Sequence, residues 1–537
     1  MRIFSICKKH LLKQKYALAA YFCISIMSIG ITIASPYILG DFIDSLITGA
    51  GINFIVRFCI IFGGLNLLGV AIGYISSMLH LRLQNKIGYS FNRAVLQHVI
   101  AASLTFSSKQ DPAYLSNRVT QDTNTLVGFC ISVVTSTVTN VVKLALPLVL
   151  LLRLHAQITL VMLIFMLAYF VLYFVCKKML YSAGLRLRES WAHFAAKLLE
   201  PLYHVKLIKV NAIMPKLMKR TDDAYTEYET AAKSNQQVNY LYTGLDGIVS
   251  TIAQIVLFVL GGMQLLAGNF TIGMFTMFTA YFNLMLASMR YFYGLGASYQ
   301  TAMASYDRVQ EILAQPAEEY GTDLLDGIHT ISLNNISFGY NDTNVISHYS
   351  KEFVRGSAYC IAGANGAGKS TLVSLLMGLY ANETTGDVLY NGKNIRSLEM
   401  HSIRKAHIGF AAQEPMLIHG TIRQNLFLDE PIDELHLNKC INALNMREFI
   451  NKYALDDITV DSNNLSGGEK QKIALLAVLC KNPDVMIFDE PTSAMDAQSA
   501  AMFMHYLMGI KSDKMIIVIS HDEAVIKQCD IRLDIKI

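Results

Sequence analysis

Apolar residues are unevenly distributed along this chain. Between residues 16 and 300 they gather into long runs, whereas residues 329–537 mix apolar and polar positions at short intervals. A membrane-crossing helix needs about 20 mostly apolar residues. Six such runs are present, at about 16–43, 54–80, 127–152, 157–180, 240–266 and 271–296. About 45 polar, helix-forming residues separate the second run from the third, and a similar stretch separates the fourth from the fifth. Their periodicity predicts that the spans continue as helices well beyond a bilayer. The first run, from Tyr16 to about Leu39, is too long for a signal peptide and is followed by no small-residue cleavage site, so a retained first span is expected.

After the sixth run, Pro316 and Gly321 mark a linker. The stretch "TISLNNISFGY" then alternates polar and apolar residues as a strand does. The expected division is a transmembrane domain over 1–314, a linker over 315–328 and a soluble domain over 329–537. The fold class that follows is an all-α, six-helix membrane domain with long helical extensions, followed by an α/β domain.

Charge sets the orientation. The first long connection carries Arg82, Lys86, Arg93, Lys109 and Arg118, and the second carries Lys177, Lys178, Arg186, Arg188, Lys197, Lys206, Lys209, Lys216, Lys219 and Arg220. The short connections offer little beyond Arg57 and Arg153. By the positive-inside rule the long connections and both termini are cytoplasmic. Overall composition agrees with a membrane protein: 53% of residues are hydrophobic and 16% charged, against about 25% charged in a soluble domain. A net charge of +4 is too small to suggest nucleic acid as a partner. Nine cysteines, without a C-x-x-C pair, read as buried small side chains rather than a metal site or disulfide framework.

The chemistry lies in the second half. "GANGAGKS", residues 363–370, fits G-x-x-x-x-G-K-[ST] between an expected strand at 357–362 and a helix at 369–379. Gly363, Gly366 and Gly368 allow backbone amides to converge on phosphate oxygens, along with those of Asn365 and Ala367. The helix behind them, with Thr371 in its first turn, presents its positive end to the same anion. Lys369 suits the β- and γ-phosphates and Ser370 suits Mg²⁺. "DVMIFDEPTSAMD", 484–496, is an apolar strand ending in two carboxylates. Asp489 suits a Mg²⁺ contact, and Glu490 suits a base that orients and polarises water. In "LSGGEKQ", 465–471, Ser466, Gly467 and Gly468 open a helix at 468–480 and form a second anion grip. One nucleotide cannot easily use both grips of one chain, so two chains placed head-to-tail are expected.

With these motifs in this order behind six spans, the whole chain resembles an ATP-binding cassette (ABC) exporter half-transporter, with features of bacterial peptide or bacteriocin exporters. The resemblance implies ATP and Mg²⁺, and a dimer of identical chains joined through membrane helices and cassettes. It implies ATP-driven export across a cytoplasmic membrane, with both termini and the cassette inside. It also assigns roles. Tyr340 in "ISFGY" would stack on adenine, Gln413 in "AAQEP" would contact Mg²⁺, Asp496 would act across the dimer, and His521 in "VISHDEA" would sit near the γ-phosphate. Segments at about 116–126 and 209–216 would be coupling elements. The stretch "TVDSNNLSGGEKQ" lacks the glycines that exporters of this type usually carry before the signature. With about fifteen residues ahead of the first span, no leader-cleaving peptidase domain is expected there, and no added regulatory domain is expected after the histidine. Multidrug or lipid export is the alternative, an ATP-gated channel a lesser one, and soluble condensin-like ATPases are excluded by the six spans. For the cargo, Lys143 in span three, with Asn140 one turn away, and Arg290 in span six are candidate contacts; Arg290 and Asp246 also suit a pair.

Overall fold

In a computed structural model, residues 2–318, 320–340, 343–364, 366–381, 383–427, 433–453, 455–456 and 465–535 are described. They fall into two compact units, 1–97 with 111–314, and 98–110 with 315–537.

The first unit is helical. Its elements are α1 (Arg2–Leu12), α2 (Lys15–Ile47), α3 (Ile52–Ala101, whose end enters the other unit), and then α4 (Leu104–Lys109) of the second unit. There follow α5 (Pro112–Asn117), a π-helical turn at Arg118–Asp122, α6 (Thr123–Leu154), α7 (Ala156–Tyr203), α8 (Val205–Asn211), α9 (Met214–Leu266) and α10 (Ile272–Leu313). Six helical stretches are long and apolar enough to cross a membrane, and each contains one of the six runs read from the sequence. The longest reaches 53 residues, about 80 Å at 1.5 Å per residue, so the helices do run far past a bilayer's thickness.

Small residues and caps set the helix packing in this unit. A Cβ on Gly273 would lie 2.0 Å from the Gly40 carbonyl, so glycine at both positions lets α2 and α10 touch backbone to backbone. Asp44 on α2 then accepts the Gly273 amide at 2.7 Å and the Thr271 hydroxyl at 2.6 Å, placing an anion at the start of α10. Further along, buried Tyr281 donates to the Ile33 carbonyl at 2.6 Å, within a core of Phe278, Phe282, Leu257 and Tyr169.

The second unit carries two sheets. Its elements are β1 (Thr330–Tyr340), β2 (Thr343–Val354), β3 (Ala358–Ala362), α11 (Lys369–Leu376), β4 (Thr385–Tyr390), β5 (Lys393–Asn394), α12 (Met400–His407) and β6 (Ile408–Ala411). These are followed by α13 (Glu434–Ala443), α14 (Arg447–Lys452), α15 (Gly467–Lys481), β7 (Val485–Asp489), α16 (Ala497–Ile510), β8 (Met515–Ile519), α17 (Glu523–Ile526) and β9 (Ile531–Asp534). The antiparallel sheet runs β2-β1-β4-β5 and the parallel sheet β6-β7-β8-β3-β9. The central strands β7, β8 and β3 are buried on both faces, which is why they read as continuous apolar runs, whereas the edge strand β9 is half exposed. Their alternation still decides the layers: Val485, Ile487, Met515 and Ile517 face the core shared with β1 and α11, while Met486, Phe488, Ile516 and Val518 face α13, α15 and α16.

Residues 98–110 belong to this second unit because they are bonded into it. The Ala101 carbonyl accepts the Glu318 amide at 2.7 Å, Thr105 donates to Glu383, and Leu104 packs on the β1–α11 core. The stretch at 116–126, expected as a coupling element, belongs to the first unit. There Asp122, almost fully buried, receives two bonds from Arg308 on α10, at 2.9 and 2.5 Å, one from Arg118 at 2.9 Å and one from Ser305 at 2.8 Å. The other expected stretch, 209–216, spans the junction of α8 and α9, where Ala212 takes a left-handed φ of 51°.

Asp122→Ala leaves two guanidinium groups facing an emptied polar site. Breaking a buried pair costs about 3–5 kcal/mol, discounted to roughly 2 kcal/mol because Arg308 stays about a third exposed. A clearly lower unfolding midpoint of the purified protein in detergent is the expected result, with Asp122→Asn, which can still accept, falling between the two.

Candidate functional site

Four loops leave the carboxyl ends of four parallel strands, the place where open α/β sheets bind ligands. After β3 comes the glycine-rich turn. Gly366 and Gly368 adopt φ of 82° and 85°, a left-handed region that disfavours any side chain. A Cβ on Gly368 would also lie 2.9 Å from Val345, so the β1–β2 hairpin closes against this turn. Ala367 and Thr371 are buried beneath it, and Asn365 lies outside the described residues. Lys369 curls over the turn and donates to the carbonyls of Gly363 at 2.8 Å and Ala364 at 3.1 Å.

β7 delivers the carboxylates. Ser370 Oγ donates to Asp489 at 3.3 Å. Burial pushes the Asp489 carboxyl above its usual range, and the neighbouring charge of Glu490 adds to the effect, against the Ser370 bond and the Lys369 charge. Glu490 sits at a left-handed φ of 47°, a conformation costly for a glutamate. Its amide donates to the Ile519 carbonyl at 2.9 Å, so the end of β8 holds the turn. Its carboxylate accepts from Gln413 Nε2 at 3.0 Å and lies 3.9 Å from His521 Nε2. His521, two residues past β8, also accepts from Lys369 at 3.0 Å. Lys369, Ser370, Asp489, Glu490, Gln413 and His521, far apart in sequence, form one continuous chain of contacts.

This donor set suits a nucleotide with its divalent cation. A serine hydroxyl and a half-buried carboxylate offer hard oxygens. Among the described residues no group of three or more His, Cys, Asp or Glu forms a metal cluster. A Mg²⁺ ion at Ser370 and Asp489 would therefore complete its shell with water and phosphate oxygens, its habit at such sites.

Tyr340 lies at the end of β1, its hydroxyl 3.1 Å from that of Tyr380, and Phe338 stacks on Tyr380 at 4.5 Å. Burial and the Tyr340 hydroxyl both raise the Tyr380 pKa. Tyr380 therefore holds the tyrosine expected at the adenine, a role that no motif carried.

The signature residues open α15. Ser466 caps it and bonds Glu469 reciprocally, at 2.7 Å from the Ser466 amide and 3.3 Å from the Glu469 amide. A Cβ on Gly468 would fall 2.6 Å from the Ala494 carbonyl, so glycine there lets α15 approach the loop after β7. Among the described residues neither Ser466 nor Glu469 bonds the glycine-rich turn. Asp496 caps α16 through Ser499 at 2.8 and 2.6 Å, and these bonds bring its carboxyl down to about 2. The loop with the missing glycines, 459–464, lies outside the described residues.

Sequence reasoning quoted Gln471 and gave it no task. It is buried, donates to the Glu490 carbonyl at 2.8 Å and accepts the Ala494 amide at 3.1 Å, tying the signature helix to the catalytic turn. Its signal is its place on α15 one turn behind Gly468. In the first unit Arg290 bonds Asp246 at 2.5 Å, the pairing weighed against a cargo role. Lys143 is half-buried on α6, and Asn140 turns to the Ser136 carbonyl at 2.8 Å rather than to it.

Fold and site together define a phosphate-loop nucleotide-binding domain joined to a six-span membrane domain. The ABC transporter transmembrane region model matches residues 18–289 and the ABC transporter model matches 346–493. The chain belongs to the ABC transporter family. It is 29% identical over 362 residues to a leukotoxin translocation ATP-binding protein, LktB, of Mannheimia glucosida, covering 64% of this chain and 50% of that one. Over 209 residues it is 35% identical to ABC transporter B family member 18 of Arabidopsis thaliana, covering 37% of this chain and 17% of that one. It thus spans about half the length of the leukotoxin relatives. The structure of a bacterial Atm1-family ABC exporter with ATP bound aligns with a TM-score of 0.83 at 18% identity, over 97% of this chain and 94% of that one.

Gln471→Ala removes the side-chain acceptor of the Ala494 amide and one donor to the Glu490 carbonyl, which Ser493 Oγ still reaches at 3.0 Å; a bond of this kind contributes about 0.5–1.5 kcal/mol. Hydrogen–deuterium exchange of the full chain should show the Ala494 amide exchanging up to about tenfold faster, with α16 little changed.

Proposed function

We propose that this chain is one half of an ATP-driven exporter that works as a dimer of identical chains, with a peptide as cargo. The observation that carries the reading is the contact chain joining Lys369, Ser370, Asp489, Glu490, Gln413 and His521 at the ends of four strands. The fold and the family make the cassette an ATP site; the residue roles that follow are inferred from this geometry.

The glycine-rich turn and the start of α11 bind the phosphates through backbone amides, and Lys369 exchanges its two loop carbonyls for phosphate oxygens. Tyr340, steadied by Tyr380, stacks on the base. Ser370 and Asp489 would hold Mg²⁺, with Gln413 beside them, and the ion would supply positive charge where the phosphate oxygens become more negative. Glu490 takes a hydrogen bond from the attacking water, and its fixed turn aims it at one place. His521, beside Lys369 and Glu490, would contact the terminal phosphate. Ser466, Gly467 and Gly468 of one chain close over the nucleotide of the other, and Asp496 lies beside that junction. Closure and separation of the cassettes then alternate the membrane helices between two openings.

The basic residues of the long connections support a cytoplasmic cassette and a bacterial plasma-membrane location is the reading adopted. A relative named for leukotoxin translocation is compatible with a peptide cargo; multidrug or lipid export is the second reading. Lys143 is retained as the cargo contact, while Arg290 is given to Asp246.

Glu490→Gln keeps the side chain's size and removes its charge. Phosphate release by purified protein should fall about 10²–10⁴-fold with ATP binding retained, whereas Lys369→Ala should weaken binding itself. A Glu490→Gln protein turning over at most of the wild-type rate contradicts the assignment.

A further inference from the structure

The first unit holds a cavity of about 390 Å³ between the N-terminal helix and the ends of two spans. Phe4 of α1, Phe129 and Val133 of α6, and Phe292 and Tyr299 of α10 form its apolar wall. Phe129 and Tyr299 approach ring to ring at 6.0 Å. A single charged side chain, Arg2, lines it. Arg2 is exposed and makes no ion pair among the described residues.

The cavity is a product of folding rather than of a loose terminus. Ile3, Cys7 and His10 bury one face of α1, and His10 bonds Ser90 at 2.8 Å while its ring meets Phe91 at 5.2 Å. The other face turns Arg2, Lys8 and Lys9 outward, and Lys13, just past the end of α1, is exposed as well. No acidic residue precedes Asp41. A basic amphipathic helix directly ahead of an apolar span suits the surface of a membrane. Phe129 begins span three and Phe292 ends span six, so the cavity lies at the height of the headgroups on the same side as the basic connections.

We propose that this cavity binds an anionic phospholipid of the cytoplasmic leaflet, its headgroup on Arg2 and the upper part of an acyl chain against Phe4, Phe129 and Tyr299. Charge complementarity and position choose this occupant over a zwitterionic lipid or a second copy of the chain. The assignment of the leaflet rests on the orientation proposed above. Lipid binding needs no ATP turnover, so its failure is distinguishable from failure of the export reading.

The chain has one tryptophan, Trp191, which makes a single-site reporter simple to build. Trp191→Phe with Tyr299→Trp is reconstituted into phosphatidylcholine vesicles containing a minor fraction of dibrominated phosphatidylglycerol or dibrominated phosphatidylcholine. The anionic lipid should quench about fivefold more effectively, the factor one basic side chain supplies at an anionic surface. Arg2→Gln should abolish that preference, Lys13→Gln should leave most of it, and Val133→Phe should reduce quenching by both lipids. Equal quenching, a preference that survives Arg2→Gln, or no quenching by either lipid overturns the proposal. Should the reporter fail to fold, native mass spectrometry of the unaltered protein and of Arg2→Gln decides: preferential retention of phosphatidylglycerol that Arg2→Gln removes supports the site, and indifference to lipid charge overturns it.

Discussion

The turn after β7 is the constraint on which the site depends. Glu490 adopts a backbone conformation that most residues avoid. Besides the bonds from Ser493 within the turn, three bonds to other elements keep it there: its amide to Ile519, its carbonyl from Gln471, and its carboxylate from Gln413. Each comes from a different element, so the turn records whether β8, α15 and the loop after β6 are in place together. Strain of this kind costs about 1–3 kcal/mol and persists only where the surroundings over-determine it. The return is a carboxylate aimed without side-chain search, beside a lysine and a histidine that already touch.

The same turn separates two anion grips. The glycine-rich turn follows β3, whereas Ser466 and Gly468 open a helix packed on the loop after β7. Both grips are built from amides at helix starts, which suits each of them to phosphate. In the proposed dimer each nucleotide takes one grip from each chain, so ATP favours the closed pair only through what it touches across the junction. Asp496, already ionised at neutral pH and fixed by Ser499, adds a preset charge near that junction.

The spans were legible because lipid imposes a length and a polarity that short apolar runs cannot imitate. The nucleotide site was legible because phosphate binding demands glycine at left-handed positions, as at Gly366 and Gly368. Residues 98–110 were not: α4 is a short polar helix, and its place is decided by contacts with Glu318 and Glu383, over 200 residues away. Asp122 carries no signal of its own in the sequence, since only folding brings Arg308 to it. Gln471 and Tyr380 escaped for a related reason. Each acts through a neighbour, and a residue that positions another leaves no spacing to recognise.

The central claim is that each ATP site is shared between two chains. Two differently tagged copies, one Lys369→Ala and the other Ser466→Arg, can be co-expressed and purified through both tags, so that every dimer is mixed. A shared site collects both defects at one junction and leaves the other whole. ATPase activity of about half the wild-type rate is then expected if the two sites act independently, against near-background activity for each variant alone. A mixed dimer as inactive as its parents would contradict the shared site.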